Sequence, residues 1–172
     1  MIDQSELINR LTLIEESIAQ FYKMLSDELP IQIFHFKSIP VRCFVLFDQP
    51  VLYAPDVIRI IDPEYPQTNF SNAPNMHSRF GLERDVHYIV SSVGRIASEC
   101  EVTPDYLLAK AKLSDKTRGM TFILPHGVNL LRIYHPEFYQ WYCDTVFPSV
   151  PRLYNISNKR RESLALVKGG AL

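Results

Sequence analysis

Four of the five histidines fall in two loose pairs, His77 with His87 and His126 with His135, ten and nine residues apart. A helical metal pair needs imidazoles four apart, so that both lone pairs meet one ion, and neither spacing supplies that. They read as surface or core-edge residues. Cys43, Cys100 and Cys143 are odd in number, widely spaced and never in a C-x-x-C pair, which argues against a disulfide framework and against a zinc knuckle. Cys143, inside an aromatic helix, reads as a small hydrophobe rather than a nucleophile. Asp56 and Asp62 straddle a short predicted helix, and Asp56, near its N-terminus, reads as a capping carboxylate opposing the macrodipole. No G-x-S-x-G, H-E-x-x-H, Walker loop or G-x-G-x-x-G occurs, and with six glycines in the chain a phosphate-cradling loop is not expected. No catalytic, cofactor-binding or metal-ligating residue is assigned. The expectation is a protein that is not an enzyme and carries no cofactor.

The remaining chemistry is charge. Lys110, Lys112, Lys116 and Arg118 form the one basic cluster of the folded part, and Lys159, Arg160 and Arg161 form a second, with Arg152 before it. Clusters of this kind are usually solvated faces, but they can also neutralise phosphates, and all eight residues are candidate nucleic-acid or partner contacts. Tyr53, Tyr65, Phe70, Phe80, Tyr88 and Tyr106 show no regular interleaving with basic residues, so core or loop-anchor roles fit them better than base stacking. A net charge of −1 and a pI near 6.5 provide no global positive field for a polyanion. The charge is uneven: residues 1–30 hold six acids and two bases, whereas residues 156–172 hold four bases and one acid.

Positioning elements follow from periodicity. Residues 3–29 read as one helix, opened by a capping box of Asp3 with Glu6 and closed by Pro30. Its apolar residues Leu7, Leu11, Ile14, Ile18, Phe21 and Leu25 repeat at 4-3-4-3-4, the spacing of a coiled-coil seam. Self-association through this seam is the preferred expectation, docking of the helix on its own domain the alternative. Strands are predicted at 31–36, 41–47 and 51–53, with a turn at 48–50, followed by a helix over 54–62 and a loop over 63–74. The run 86–95 reads as strand and then turn, 103–112 as a helix capped by Thr103, and 120–124 as a strand. A helix over 128–134, a break at His135 and Pro136, and a final helix over 137–147 complete the pattern. On that last helix Phe138, Trp141 and Thr145 share one face, Trp141 as core anchor, and Pro148 and Pro151 stop it. Residues 158–172 read as a partly ordered tail.

Two blocks resemble the Bro-N family, the domain that opens baculovirus repeated-ORF proteins and many phage antirepressors. Val45-Leu46-Phe47-Asp48 before Val51-Leu52-Tyr53-Ala54-Pro55-Asp56-Val57 is similar to the family's opening strand, turn, strand and helix. Met120 to Tyr154 is similar to its closing part, with Gly127 on the family's glycine, Leu131 on its helical leucine, and Phe138, Trp141 and Val146-Phe147-Pro148-Ser149-Val150 on its terminal pattern. Pro125 and Thr145 stand where family members usually place acids, and Pro151 displaces an arginine, with Arg152 next. These departures remove charge from partner-facing positions.

The resulting expectation is an α+β fold, a small antiparallel sheet with packed helices preceded by a long N-terminal helix. Its parts are a dimerisation helix (1–30), a Bro-N-like domain (31–154) and a basic tail (155–172). The resemblance implies a viral or prophage regulator of antirepressor type that binds a repressor-like regulatory protein without catalysis, and the seam of the first helix implies a homodimer. The alternative is a dimeric sequence-specific DNA-binding transcription regulator. With no apolar run near the roughly 18 residues that span a bilayer, no membrane contact is expected and the location is expected to be cytoplasmic.

Overall fold

The computed structural model describes residues 4–27, 29–65, 76 and 79–169, with the backbone alone for 17–27, 160 and 163–169. In chain order the elements are α1 (Gln4–Asp27), β1 (Ile31–Phe36), β2 (Ile39–Leu46), β3 (Gln49–Tyr53), α2 (Ala54–Ile61), β4 (Tyr88–Ser92), α3 (Val93–Glu99) and α4 (Pro104–Lys110). Then come β5 (Gly119–Ile123), α5 (Pro125–Leu131), α6 (Pro136–Trp141), a π-helical turn (Tyr142–Val146), a 3-10 turn (Phe147–Ser149) and α7 (Val150–Gly169).

Local hairpins build the first half of the sheet. Phe36 lies opposite Ile39 and Leu46 opposite Gln49, so each connection has two residues. In the second, Phe47 and Asp48 both have positive φ, 51° and 59°, the primed geometry whose twist matches the flanking strands. The turn therefore falls one residue earlier than the predicted 48–50, and Pro50 enters β3. β5 pairs only with Leu52 and Tyr53 of β3, so Pro50 has a single strand neighbour and its missing N–H disturbs no second ladder. The sheet order is β1-β2-β3-β5-β4 with every pair antiparallel.

Side-chain alternation gives this sheet two apolar faces. Val41, Cys43, Val45, Leu52 and Ile123 point to one, covered by Val57 and Ile58 of α2, Val128 and Leu131 of α5, and Phe138 of α6. Phe44, Leu46, Val51, Met120 and Phe122 point to the other, covered by Ile96 and Ala97 of α3 and by Leu107 and Leu108 of α4. The α+β class, the antiparallel sheet and the long leading helix are as the sequence predicts.

Three local readings are corrected. The predicted turn before residue 95 is helix α3, whose N-terminus is satisfied by the Ser92 side chain accepting from Arg95 N; seven residues are too few to display a helical period. Pro148 and Pro151 do not end the chain's helical course. Each occupies the first turn of a new segment, where no N–H is needed, and the wide π-turn before them absorbs the change of register. The same π-turn sets the inner face as Phe138, Tyr142 and Val146, leaving Trp141 half-buried and Thr145 exposed. Finally, residues 158–169 are helix α7 rather than a partly ordered tail, and this helix runs across the boundary at 154 with Leu153 and Ser157 buried. Asp3 of the expected capping box lies outside the described residues.

Gly127 shows why its position tolerates no side chain. A Cβ there would lie 2.2 Å from the backbone oxygen of His87 and 2.8 Å from Ile123 Cγ2. That same oxygen accepts the N–H of Leu124 at 2.9 Å, so it cannot move without breaking the join between α5 and β4. Gly127→Ala is therefore expected to destabilise the fold by about 1–3 kcal/mol, as overpacking against backbone does. Chemical unfolding of the variant measures this; an unchanged midpoint would contradict the packing described.

Candidate partner-binding surface

A buried ion pair holds the surface in place. Arg42, on β2, reaches Asp56 in the first turn of α2, its Nη1 donating to Oδ1 at 2.6 Å and Oδ2 at 2.8 Å, and its backbone N–H donating to Oδ2 at 3.0 Å. The side chains are only 12% and 2% exposed, so this pair is screened little by water. Burial pushes the Asp56 carboxyl above its ordinary value, and the Arg42 guanidinium opposes that rise. Asp56 stands in the first turn of α2, near the helix N-terminus as the sequence reading has it, and the hydrogen bonds its oxygens accept come from the strand arginine.

The rest of the Arg42 fork ends α4. Nε donates to Ala111 O at 2.5 Å and Nη2 to Lys112 O at 3.0 Å. Lys112 sits in the left-handed region, φ 52°, where the N–H of Leu113 reaches back to Leu108 O at 2.9 Å and closes the helix. A lysine in that conformation needs outside support, and the guanidinium supplies it. Arg42 therefore fixes the segment that presents Lys110 and Lys112.

Lys110 and Arg152, 42 positions apart in the chain, meet at one cavity of about 330 Å³. Leu29, Ile31, Leu153 and Ile156 supply its apolar lining, and Gln32 is the other polar residue. Leu29 and Leu153 are buried, while Lys110 and Arg152 are exposed, so two cations stand over an apolar floor. Lys110 is also held over the Tyr106 ring, 5.3 Å from its centroid. Both cations are among the contacts nominated by the sequence, whereas the other lining residues are not, since they come from two separated stretches, 29–32 and 153–156, with no common period.

The other candidate contacts are distributed differently. Lys112, Lys116 and Arg118 are exposed on the connection from α4 to β5 and do not line the cavity; Arg118 Nη1 donates to Asp115 O at 2.7 Å. Arg161 is withdrawn from the second basic cluster, donating to Asp48 Oδ1 at 2.6 Å and Glu99 Oε1 at 3.0 Å. With Tyr154, whose hydroxyl donates to Asp48 O at 2.8 Å, it ties α7 to the positive-φ turn. Lys159 is exposed, and the Arg160 side chain lies outside the described residues.

Along α1 every residue from 4 to 16 is exposed, including Leu7, Leu11 and Ile14 at 49%, 52% and 54%. This half of the helix docks on nothing described in its own domain. Ile18, Phe21 and Leu25 follow on the same helix, their side chains outside the described residues.

The remaining candidates serve the fold. His135 Nδ1 accepts the N–H of Phe138 at the start of α6, His87 Nδ1 accepts that of Glu83, and His126 is exposed; His77 lies outside the described residues. Tyr65, Phe80 and Tyr88 are buried, Tyr53 and Tyr106 half-buried, and Phe70 lies outside the described residues. Cys43 is buried, its thiol pushed up to about 12 by that burial, and Cys143 is half-buried. Among the described residues, no group of three or more His, Cys, Asp or Glu side chains is placed to hold a metal ion, and no helix is long and apolar enough to cross a membrane.

Comparison of the chain with protein-family models, with curated proteins and with solved structures gives no match.

Proposed function

We propose that this protein is a non-catalytic regulatory protein of the antirepressor type, a homodimer joined through α1 that binds a repressor-like regulatory protein. The observation that carries the reading is the cavity under Lys110 and Arg152. An apolar floor beneath two cations suits an apolar side chain flanked by a carboxylate, as an acidic segment of a protein partner presents. Burying that side chain contributes roughly 1.5–3 kcal/mol, which a phosphodiester backbone has no apolar group to supply. The resemblance of the two sequence blocks to the Bro-N family supports the same role.

A second reading is favoured by one observation: Lys110, Lys112, Lys116 and Arg118 are all exposed along one short stretch. Four such cations neutralising four phosphates would give a log–log salt slope of about −3.6, and the protein would be a dimeric DNA-binding regulator. Arg161, engaged with Asp48 and Glu99, adds nothing to that set.

The two readings separate in a capture experiment from infected or lysogenic cells, scored for protein and nucleic acid. The expected result is one retained regulatory protein, resistant to nuclease and lost with Lys110→Glu/Arg152→Glu, together with duplex binding of micromolar strength or poorer. Nanomolar, sequence-selective duplex binding, abolished when Lys110, Lys112, Lys116 and Arg118 become Gln, would overturn the antirepressor reading.

A further inference from the structure

The self-association reading leaves the direction of the two helices open, and the charges beside the seam decide it. With Leu7, Ile14 and Phe21 at heptad position d and Leu11, Ile18 and Leu25 at position a, Arg10 falls at g and Glu15 at the e position of the next heptad. Both are exposed, on the same stretch of helix whose seam residues are exposed. In a parallel, in-register pair, g of one helix faces the following e of the other. Arg10 then meets Glu15 of the second copy, and the symmetry makes that contact twice.

An antiparallel pair sets g against g and e against e. Within Gln4–Asp27 the g positions are Arg10, Ser17 and Met24, none of them acidic, and the e positions are Ile8, Glu15 and Tyr22, none of them basic; Asp3, the g position before Gln4, would face Arg10 only if the two helices overlapped in about their first ten residues, off most of the seam. No antiparallel register that overlaps the seam from Leu7 to Leu25 therefore gives either charge an opposite partner. In the single chain Arg10 Nη2 instead donates to Glu6 Oε1 at 2.7 Å, both side chains more than half exposed. A water-exposed pair of this kind is weak and readily exchanged or shared.

We infer that two copies of this chain pair through α1 in parallel and in register, with Arg10 of each facing Glu15 of the other. The inference rests on the proposed self-association. Its consequence is that both folded domains follow their helices at the same end, so that two Lys110–Arg152 cavities can meet a two-fold partner at once.

Gln4, at an a position one heptad before Leu11, reports the direction. In full-length protein carrying Gln4→Cys on a Cys143→Ser background, sedimentation gives the oligomeric state and mild oxidation tests for a disulfide between the two copies. The expected result is a dimer that becomes cross-linked in high yield. Arg10→Glu alone should weaken the dimer about tenfold, and Arg10→Glu/Glu15→Arg in one chain should restore it. A dimer that resists cross-linking, or one that Arg10→Glu leaves unchanged, would overturn the parallel arrangement while leaving self-association standing. A monomer at micromolar concentration would overturn both.

Discussion

Replacing Asp56 with alanine is expected to destabilise the protein by about 3–5 kcal/mol, because it strands a buried guanidinium without its counter-charge. Arg42 is 12% exposed, and its other contacts, the carbonyls of Ala111 and Lys112 and the face of the Tyr53 ring at 5.6 Å, carry no full negative charge to replace the carboxylate. Arg42→Met/Asp56→Leu should lose less than either single change, since both charges leave together. Its remaining loss, about 1–3 kcal/mol, is that of the two carbonyls deprived of a donor and of the residue 42 backbone N–H deprived of its acceptor. A double-mutant cycle by chemical unfolding measures the coupling; additive losses would mean that the pair does not act as a unit. Hydrogen exchange at residues 110–113 should quicken in Arg42→Met, because the left-handed turn at Lys112 loses its support.

The same pair carries a pH dependence whose sign is set by burial. The native carboxyl of Asp56 is raised above its ordinary value, so the folded state keeps its proton to higher pH than the unfolded chain does. Its contribution to stability is complete below the unfolded value, roughly 3.9, and declines as pH rises through the native titration. The stability gap between the wild type and Asp56→Ala should therefore narrow as pH rises above the unfolded value. A gap that widens with rising pH would reverse the balance between burial and the guanidinium.

Phe138→Ala is expected to cost about 3–5 kcal/mol, more than truncation of the protein's single tryptophan. Phe138 is 1% exposed and packs edge-on against Phe36, 5.5 Å between ring centroids, at the centre of the core on that face. Trp141 is half-buried and touches the same Phe36 ring at 5.4 Å from the outside, with Phe138 at 5.5 Å. Its truncation gives up part of its area and two aromatic contacts, roughly 2 kcal/mol. Thermal and chemical unfolding of the two variants rank them. If Trp141→Ala proves the more damaging, the inner face of the last helices has been placed one residue out.

What the sequence by itself determined lies within a turn or a hairpin of each residue. The alternation in β1 to β3, the Thr103 cap, which accepts Tyr106 N at 3.3 Å, and the heptads of α1 are all written in neighbours two to seven positions apart. Short-range steric and hydrogen-bonding rules suffice to read them. The tertiary structure alone decided the partners of the charges. Arg42 finds Asp56 across 14 positions and Ala111 across 69, and Arg161 finds Asp48 across 113. Lys110 and Arg152 converge only because α4 and α7 border the same cavity. Continuation of the helical course past Pro148 and Pro151 belongs with these. Both prolines are strong local stop signals, overridden where a π-turn and burial of Val146, Val150 and Leu153 hold the chain on its course. Charge and proline signals declare what a residue can do, whereas which partner or packing satisfies them depends on distant segments brought together by burial, and no local period records that.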